Sequence, residues 1–127
     1  MNETTSRCTV ETGTAEAFIE RSLVRARKLD RGESLPSEMR LTFEDPADLL
    51  HVLTSQRLGI LRAVRRQPSP VCDLARLLNR DSSAIKRDVK VLVSFGLVKT
   101  HDEINPGHGR RKIVEPLASK YELTATI

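Results

Sequence analysis

Five residues in one short run carry groups that could act together: Ser82, Ser83, Lys86, Arg87 and Lys90. Wound into an α-helix, they share the side that Ile85, Val89 and Leu92 leave free. A helix face with two ammonium groups, a guanidinium and two hydroxyls suits a polyanion. On double-stranded DNA, Lys86 and Arg87 are placed to read base edges. An arginine bound bidentately to guanine contributes about 1–3 kcal/mol of discrimination. Lys90, deeper along the helix, suits phosphate, and Ser82 and Ser83 near the helix start could donate to phosphate or base edges. A second basic set follows in Arg110, Arg111 and Lys112, with His108 a weaker candidate. The run Asn105–Arg111 holds a proline and two glycines. It predicts a flexible hairpin tip whose cations track the DNA backbone or the adjacent minor groove. The plain alternative is a solvated surface whose lysines serve solubility.

Such a helix works only if its neighbours bury its inner face. Pro68-Ser69-Pro70 breaks the chain. Ser69 is expected to cap the next helix, with Pro70 in its first turn and Val71, Leu74, Ala75 and Leu78 facing the core. Ala75 is small enough for two helices to cross closely. Asn79-Arg80-Asp81 predicts a turn, since Asn tolerates the left-handed conformation. Asp81 or Ser82 caps the basic helix, Ile85, Val89 and Leu92 pack inward, and Gly96 ends it. Leu97–Thr100 and Lys112–Glu115 read as antiparallel strands. Upstream, Thr54 opens a helix to about Gln67, with Leu58, Leu61 and Val64 on one face and Ile60 beside them. Helix, helix, turn, helix, strand, basic hairpin, strand is the order of an α+β winged helix-turn-helix over residues 54–117. Its third helix would enter a major groove about 12 Å wide. Asp88 is the exception, an acid on a basic helix where an apolar residue is common. Arg62 or Arg65 is its expected partner, or it caps a hydrogen-bond network.

The remaining segments frame this domain. Residues 1–13, rich in Thr, Ser and Glu, read as a disordered tail. Thr14 caps a helix to Arg31, with Phe18, Ile19, Leu23 and Ala26 on an apolar face that suits a dimer or partner-protein contact. Glu33–Ser37, with Pro36, is a polar connection. Met39, Leu41 and Phe43 alternate as in a short strand with one buried face. Asp45-Pro46 starts a short helix through Leu53. Residues 14–53 thus form an N-terminal helix–strand–helix extension, and residues 118–127 a C-terminal tail or last strand.

Net charge is +4, but its distribution says more. Residues 57–112 hold thirteen Lys and Arg against five Asp and Glu, leaving eight against twelve elsewhere. A basic half joined to an acidic half fits a polyanion-binding module carrying a segment with a separate task. The two cysteines predict no disulfide framework and fit a reducing cytoplasm. No apolar run approaches the ~18 residues that cross a membrane, and no signal peptide opens the chain. His51, His101, His108, Cys8 and Cys72 lack zinc spacing, so no metal and no cofactor is expected. No acid/base pair announces an enzyme.

Three stretches carry a family resemblance: L-T-S-Q-R-L-G-I-L-R-A-V, D-L-A-R-L-L-N-R-D and I-K-R-D-V-K-V-L-V-S-F-G-L-V. They resemble small prokaryotic winged-helix regulators related to the MarR group, in which R-D-V-x-x-L-x-x-x-G-L-V recurs on the recognition helix. Inside that signature the Arg87-Asp88 pair is ordinary. A-R-K-L-D-R-G-E and L-T-F-E-D-P-A-D-L-L are similar to the N-terminal parts of antitoxin-like regulators, so the likeness spans about Thr14 to Leu117. It implies a homodimeric transcriptional regulator, a repressor on a palindromic operator. Two alternatives accompany it: an antitoxin that neutralises a toxin protein and autoregulates its operon, and a winged helix used only for protein contacts.

Overall fold

The computed structural model describes residues 7–33, 38–107 and 109–127; the Pro36 connection and His108 lie outside them. Eleven elements follow one another: β1 (Arg7–Thr12), α1 (Ala15–Asp30), β2 (Glu38–Phe43), α2 (Pro46–Val52), α3 (Ser55–Arg66), β3 (Ser69–Pro70), α4 (Val71–Leu78), α5 (Ser82–Ser94), β4 (Val98–Asn105), β5 (Gly109–Pro116) and β6 (Tyr121–Thr124). From α3 to β5 this is a winged helix-turn-helix, the α+β architecture the sequence predicts.

Local chemistry starts and stops the helices where expected. The side chains of Thr14, Asp45 and Thr54 accept from the backbone N–H of Ala17, Ala47 and Arg57, each satisfying a donor the helix leaves orphaned. Pro46 sits in the first turn of α2. Asn79 ends α4 in the left-handed region, at φ 52° and ψ 51°, and Gly96 follows α5 at φ 72°, where a side chain would be strained.

One core joins most of the elements. Ile60 and Val64 of α3, Leu74 of α4, and Ile85, Val89 and Leu92 of α5 meet Leu97, Val98 and Val114 of the hairpin. Leu49, Val52 and Leu53 from α2 enter the same cluster, as do Cys8 and Val10 from β1.

Two sequence expectations are corrected, and of the tail or last strand expected at residues 118–127 the strand forms. Residues 7–12 belong to no disordered tail: β1 is the central strand of a three-stranded sheet, with β2 and β6 parallel on either side. Its alternation buries Cys8 and Val10. Both partners are distant in sequence, so only the assembled sheet orders so short a stretch. Within the predicted C-terminal tail, Tyr121–Thr124 is the third strand, and the Tyr121 hydroxyl donates to the Leu97 carbonyl at 2.6 Å. Ser69 does not cap α4. Its hydroxyl donates to the Gln67 carbonyl, Pro70 is the cap residue, and the two form β3, which pairs with Val114 and Ile113 of β5.

Candidate nucleic-acid interface

Helix α5 stands with its apolar side sealed and its basic side open. Asp81 caps it by accepting from the Ser83 N–H at 3.2 Å and from the Ser83 hydroxyl. Those two bonds, chiefly the hydroxyl's, hold the Asp81 carboxyl below its ordinary range, with a smaller contribution from the Arg87 charge. Ser82, Ser83, Lys86, Arg87 and Lys90 are all exposed.

The hairpin β4–β5 is longer than the sequence suggests, and its tip is smaller. Arg110, Arg111 and Lys112 lie within β5, paired across the ladder with Ile104, Glu103 and Asp102, so they are strand residues and not part of a flexible tip. The chain turns at Pro106 and Gly107, after Asn105.

Groove geometry joins the two basic sets. Ser82, Lys86 and Lys90 from α5 and Arg110, Arg111 and Lys112 from β5 line one open groove of about 660 Å³, floored by Val71, Val89 and Val93. Ser83 and Arg87 do not line it; they extend the same helix face away from the wing. Among the described residues, Lys86, Arg87, Lys90, Arg110 and Lys112 form no ion pair, whereas Arg111 meets Glu103 at 3.4 Å. Four cations thus stand without an ion pair around one concavity, a fifth, Arg111, is partly neutralised, and Arg87 stands just outside it. The acid in the groove wall, Asp102, faces Lys112 in the ladder.

Asp88 has a clear place. It is 7% exposed and accepts from two arginines, Arg57 Nε at 3.1 Å and Arg80 Nη2 at 2.7 Å. Arg57 also donates to the carbonyls of His51 and Val52 at the end of α2, each at 3.0 Å. One carboxylate thereby ties α5 to the start of α3, the end of α2 and the α4–α5 turn. The expected partners are wrong: Arg65 donates to the Ser119 carbonyl, and Arg62 lines a groove between α3 and β6. Spacing held the signal. Arg57 precedes Leu61 by four residues and Val64 by seven, on the stripe of α3 that faces the core.

His101 on the outer face of the wing was also missed. Its ring meets Glu115 at 2.8 Å and Glu103 at 3.4 Å. The bond to Glu115, then that to Glu103, raises its pKa above the usual imidazole value. A histidine two residues from a glutamate along a strand shares its face, but the cross-strand Glu115 follows only from the register.

Phe18, Ile19, Leu23 and Ala26 stand apart from this interface, on an α1 that buries none of its residues. Both cysteines are free, Cys8 buried with its thiol pKa pushed up by burial and Cys72 exposed. No helix among the described residues is long and apolar enough to cross a membrane.

The chain is also similar to known proteins. The chain is 34% identical over 65 residues to the HTH-type transcriptional regulator NmtR of Mycobacterium tuberculosis, a match covering 51% of this chain and 54% of that protein. The chain therefore matches only about half the length of this relative. Among solved structures, the transcriptional regulator homologue protein from Pyrococcus horikoshii OT3 is 28% identical with a TM-score of 0.47, covering 52% of this chain and 66% of that one. A possible transcriptional regulator from Methanosarcina mazei Go1 is 20% identical at TM-score 0.47, with 58% and 66% covered. The model of the HVO_A0114 family matches residues 52–117, more than half of the chain, from the end of α2 to the end of the wing. The chain belongs to the HVO_A0114 family.

Proposed function

We propose that this protein binds double-stranded DNA through the α5–wing groove and regulates transcription, as a homodimeric repressor on a palindromic operator. The observation that carries this reading is the convergence of Ser82, Lys86 and Lys90 with Arg110, Arg111 and Lys112 on one groove whose cations are mostly unpaired. Free cations can exchange their counterions for phosphates, the main source of affinity for DNA. Lys86 and Arg87 read bases, Lys90 and Arg110 hold phosphate, and Arg111 contributes less because Glu103 already occupies it. His108, between Gly107 and Gly109 in the sequence, would add a further contact. The name of the Mycobacterium tuberculosis relative, an HTH-type transcriptional regulator, agrees with this reading. So does the MarR-like run from Arg87 to Val98.

Selection of bound duplexes from random sequence tests it. Wild-type protein should enrich a two-fold symmetric site with half-sites a helical turn or a multiple apart. A Lys86→Ala/Arg87→Ala double variant should bind with relaxed preference. Enrichment by that variant of the same sequences as wild type would remove these residues from base reading.

The antitoxin reading rests on the bare apolar face of α1, which lies outside the family-matched segment. A small protein that copurifies stoichiometrically, and is lost on Leu23→Glu, would establish it. The α1 face itself points to a different occupant.

A further inference from the structure

Helix α1 has sixteen residues and none of them is buried. Arg21 and Arg25 hold it to the sheet through Glu11 at 3.2 Å and Glu38 at 3.7 Å. The sheet face beneath is itself charged: Arg7, Glu38, Glu11 and Arg40 form ion pairs across it. The sheet offers the apolar residues of α1 little to meet: Phe18 and Val24 share an open groove with Met39, beside Glu38 and Arg40. Phe18, Ile19, Ser22, Leu23, Ala26 and Leu29 fall within about 140° of arc, an arc that begins beside Arg25 and turns away from the sheet. Ile19, Leu23 and Leu29 are each more than half exposed. Most helical stability in proteins comes from packing an apolar face, and on α1 that face is bare, so a cover there would stabilise it.

We propose that the cover is α1 of a second copy of this chain, packed antiparallel about a two-fold axis at Ser22. The positions 15, 19, 22, 26 and 29 repeat at alternating spacings of four and three, the seam of a two-helix coil. Reversing one helix about Ser22 sets large against small: Phe18 opposite Ala26, Leu29 opposite Ala15, Leu23 beside Ser22. Charge follows the same sense. Glu16, Glu20 and Arg27 share one flank, and reversal places Arg27 of the second copy between Glu16 and Glu20. A parallel pair would instead turn this flank toward the opposite flank of the second helix, away from its Arg27. Asp30, the acid within the apolar arc, falls beside the second copy's α1 N-terminus, the end of a helix that favours negative charge. Such a pair is closed and isologous, the symmetry a palindromic site requires. The inference deepens the homodimer reading above by naming its surface and sense.

Disulfide trapping in a Cys72→Ser background tests it, because Cys8 is buried and Cys72 is not. Chains carrying Ala15→Cys and Leu29→Cys, mixed and mildly oxidised, should cross-link to each other and not to themselves. Self-cross-linking of each would mean a parallel pair and overturn the proposal, as would a wild-type chain that sediments as a monomer well above micromolar concentration. Leu23→Glu should weaken the dimer at least tenfold with helical content retained; an unchanged dimer would mean another surface holds it. If Leu23→Glu fails to fold, the cysteine pair still decides. Retention on heparin at low salt, measured alongside, separates the two readings. A paired chain that is not retained removes the DNA proposal alone, and a retained monomer removes this one alone.

Discussion

The winged helix and the N-terminal sheet dispose of their charges in opposite ways. Around the α5–wing groove most cations stand free above a packed apolar core, with Val93 partly exposed in the groove. On the sheet, Glu11 and Glu38 between them engage Arg7, Arg21, Arg25 and Arg40, while the apolar residues of α1 are left outside. Free cations suit phosphate, and an apolar stripe over neutralised charges suits another protein. Two surfaces of different chemistry on one small chain are what the proposed DNA-binding dimer needs. Residues 57–112 and the remainder differ in the sign of their charge, not merely in its amount.

The comparison can be broken at several points. The largest expected effect is on the buried exception in the winged helix. Asp88→Ala leaves Arg57 and Arg80 with their counter-charge removed in a site where all three side chains are under a fifth exposed. It should destabilise the fold by roughly 3 kcal/mol, because an uncompensated buried charge costs far more than a lost surface pair. Urea unfolding measures it, and a loss below about 1 kcal/mol would show that the network is incidental. On the sheet, Glu38→Gln breaks pairs at the surface and should cost no more than about 1 kcal/mol by the same measurement.

Acid should then act on both regions, through Glu38 and through Asp81, and alkali on the wing through His101. Glu38 has its pKa lowered, first by the hydrogen bond from Arg7. Its contribution is complete above its unfolded value of about 4.5 and is lost as pH falls through the lower folded value. His101 has its pKa raised, so its contribution is complete below about 6.5 and is lost as pH rises through the higher folded value. Unfolding midpoints followed against pH should lose part of their acid-side slope in Glu38→Gln and part of their alkaline-side slope in His101→Gln. The reverse assignment would contradict the pairings described here.

Much of this was legible in the sequence, for local reasons. Thr14, Asp45-Pro46, Thr54, Asn79 and Gly96 act within a few residues of themselves, and the helices end where those residues say. The basic set on α5 was legible because helical periodicity alone separates it from Ile85, Val89 and Leu92. What escaped depends on residues far apart in the chain. β1 acquires meaning only between β2 and β6, and Ser69-Pro70 becomes a strand only because Val114 and Ile113 lie beside it. The wing cations move from tip to strand once the ladder extends to Ile104. Asp88 found Arg57 and Arg80 because α3 crosses α5 near its N-terminus, which no single-helix pattern reveals.

The central claim is that the free cations of one groove hold DNA. Fluorescence anisotropy with a selected duplex, titrated across salt concentrations, tests it most directly. Lys90→Ala and Arg110→Ala should each weaken binding and lower the slope of log affinity against log salt by about one unit. Arg111→Ala, already held by Glu103, should lower it by less. Slopes that match wild type in all three variants would contradict the account.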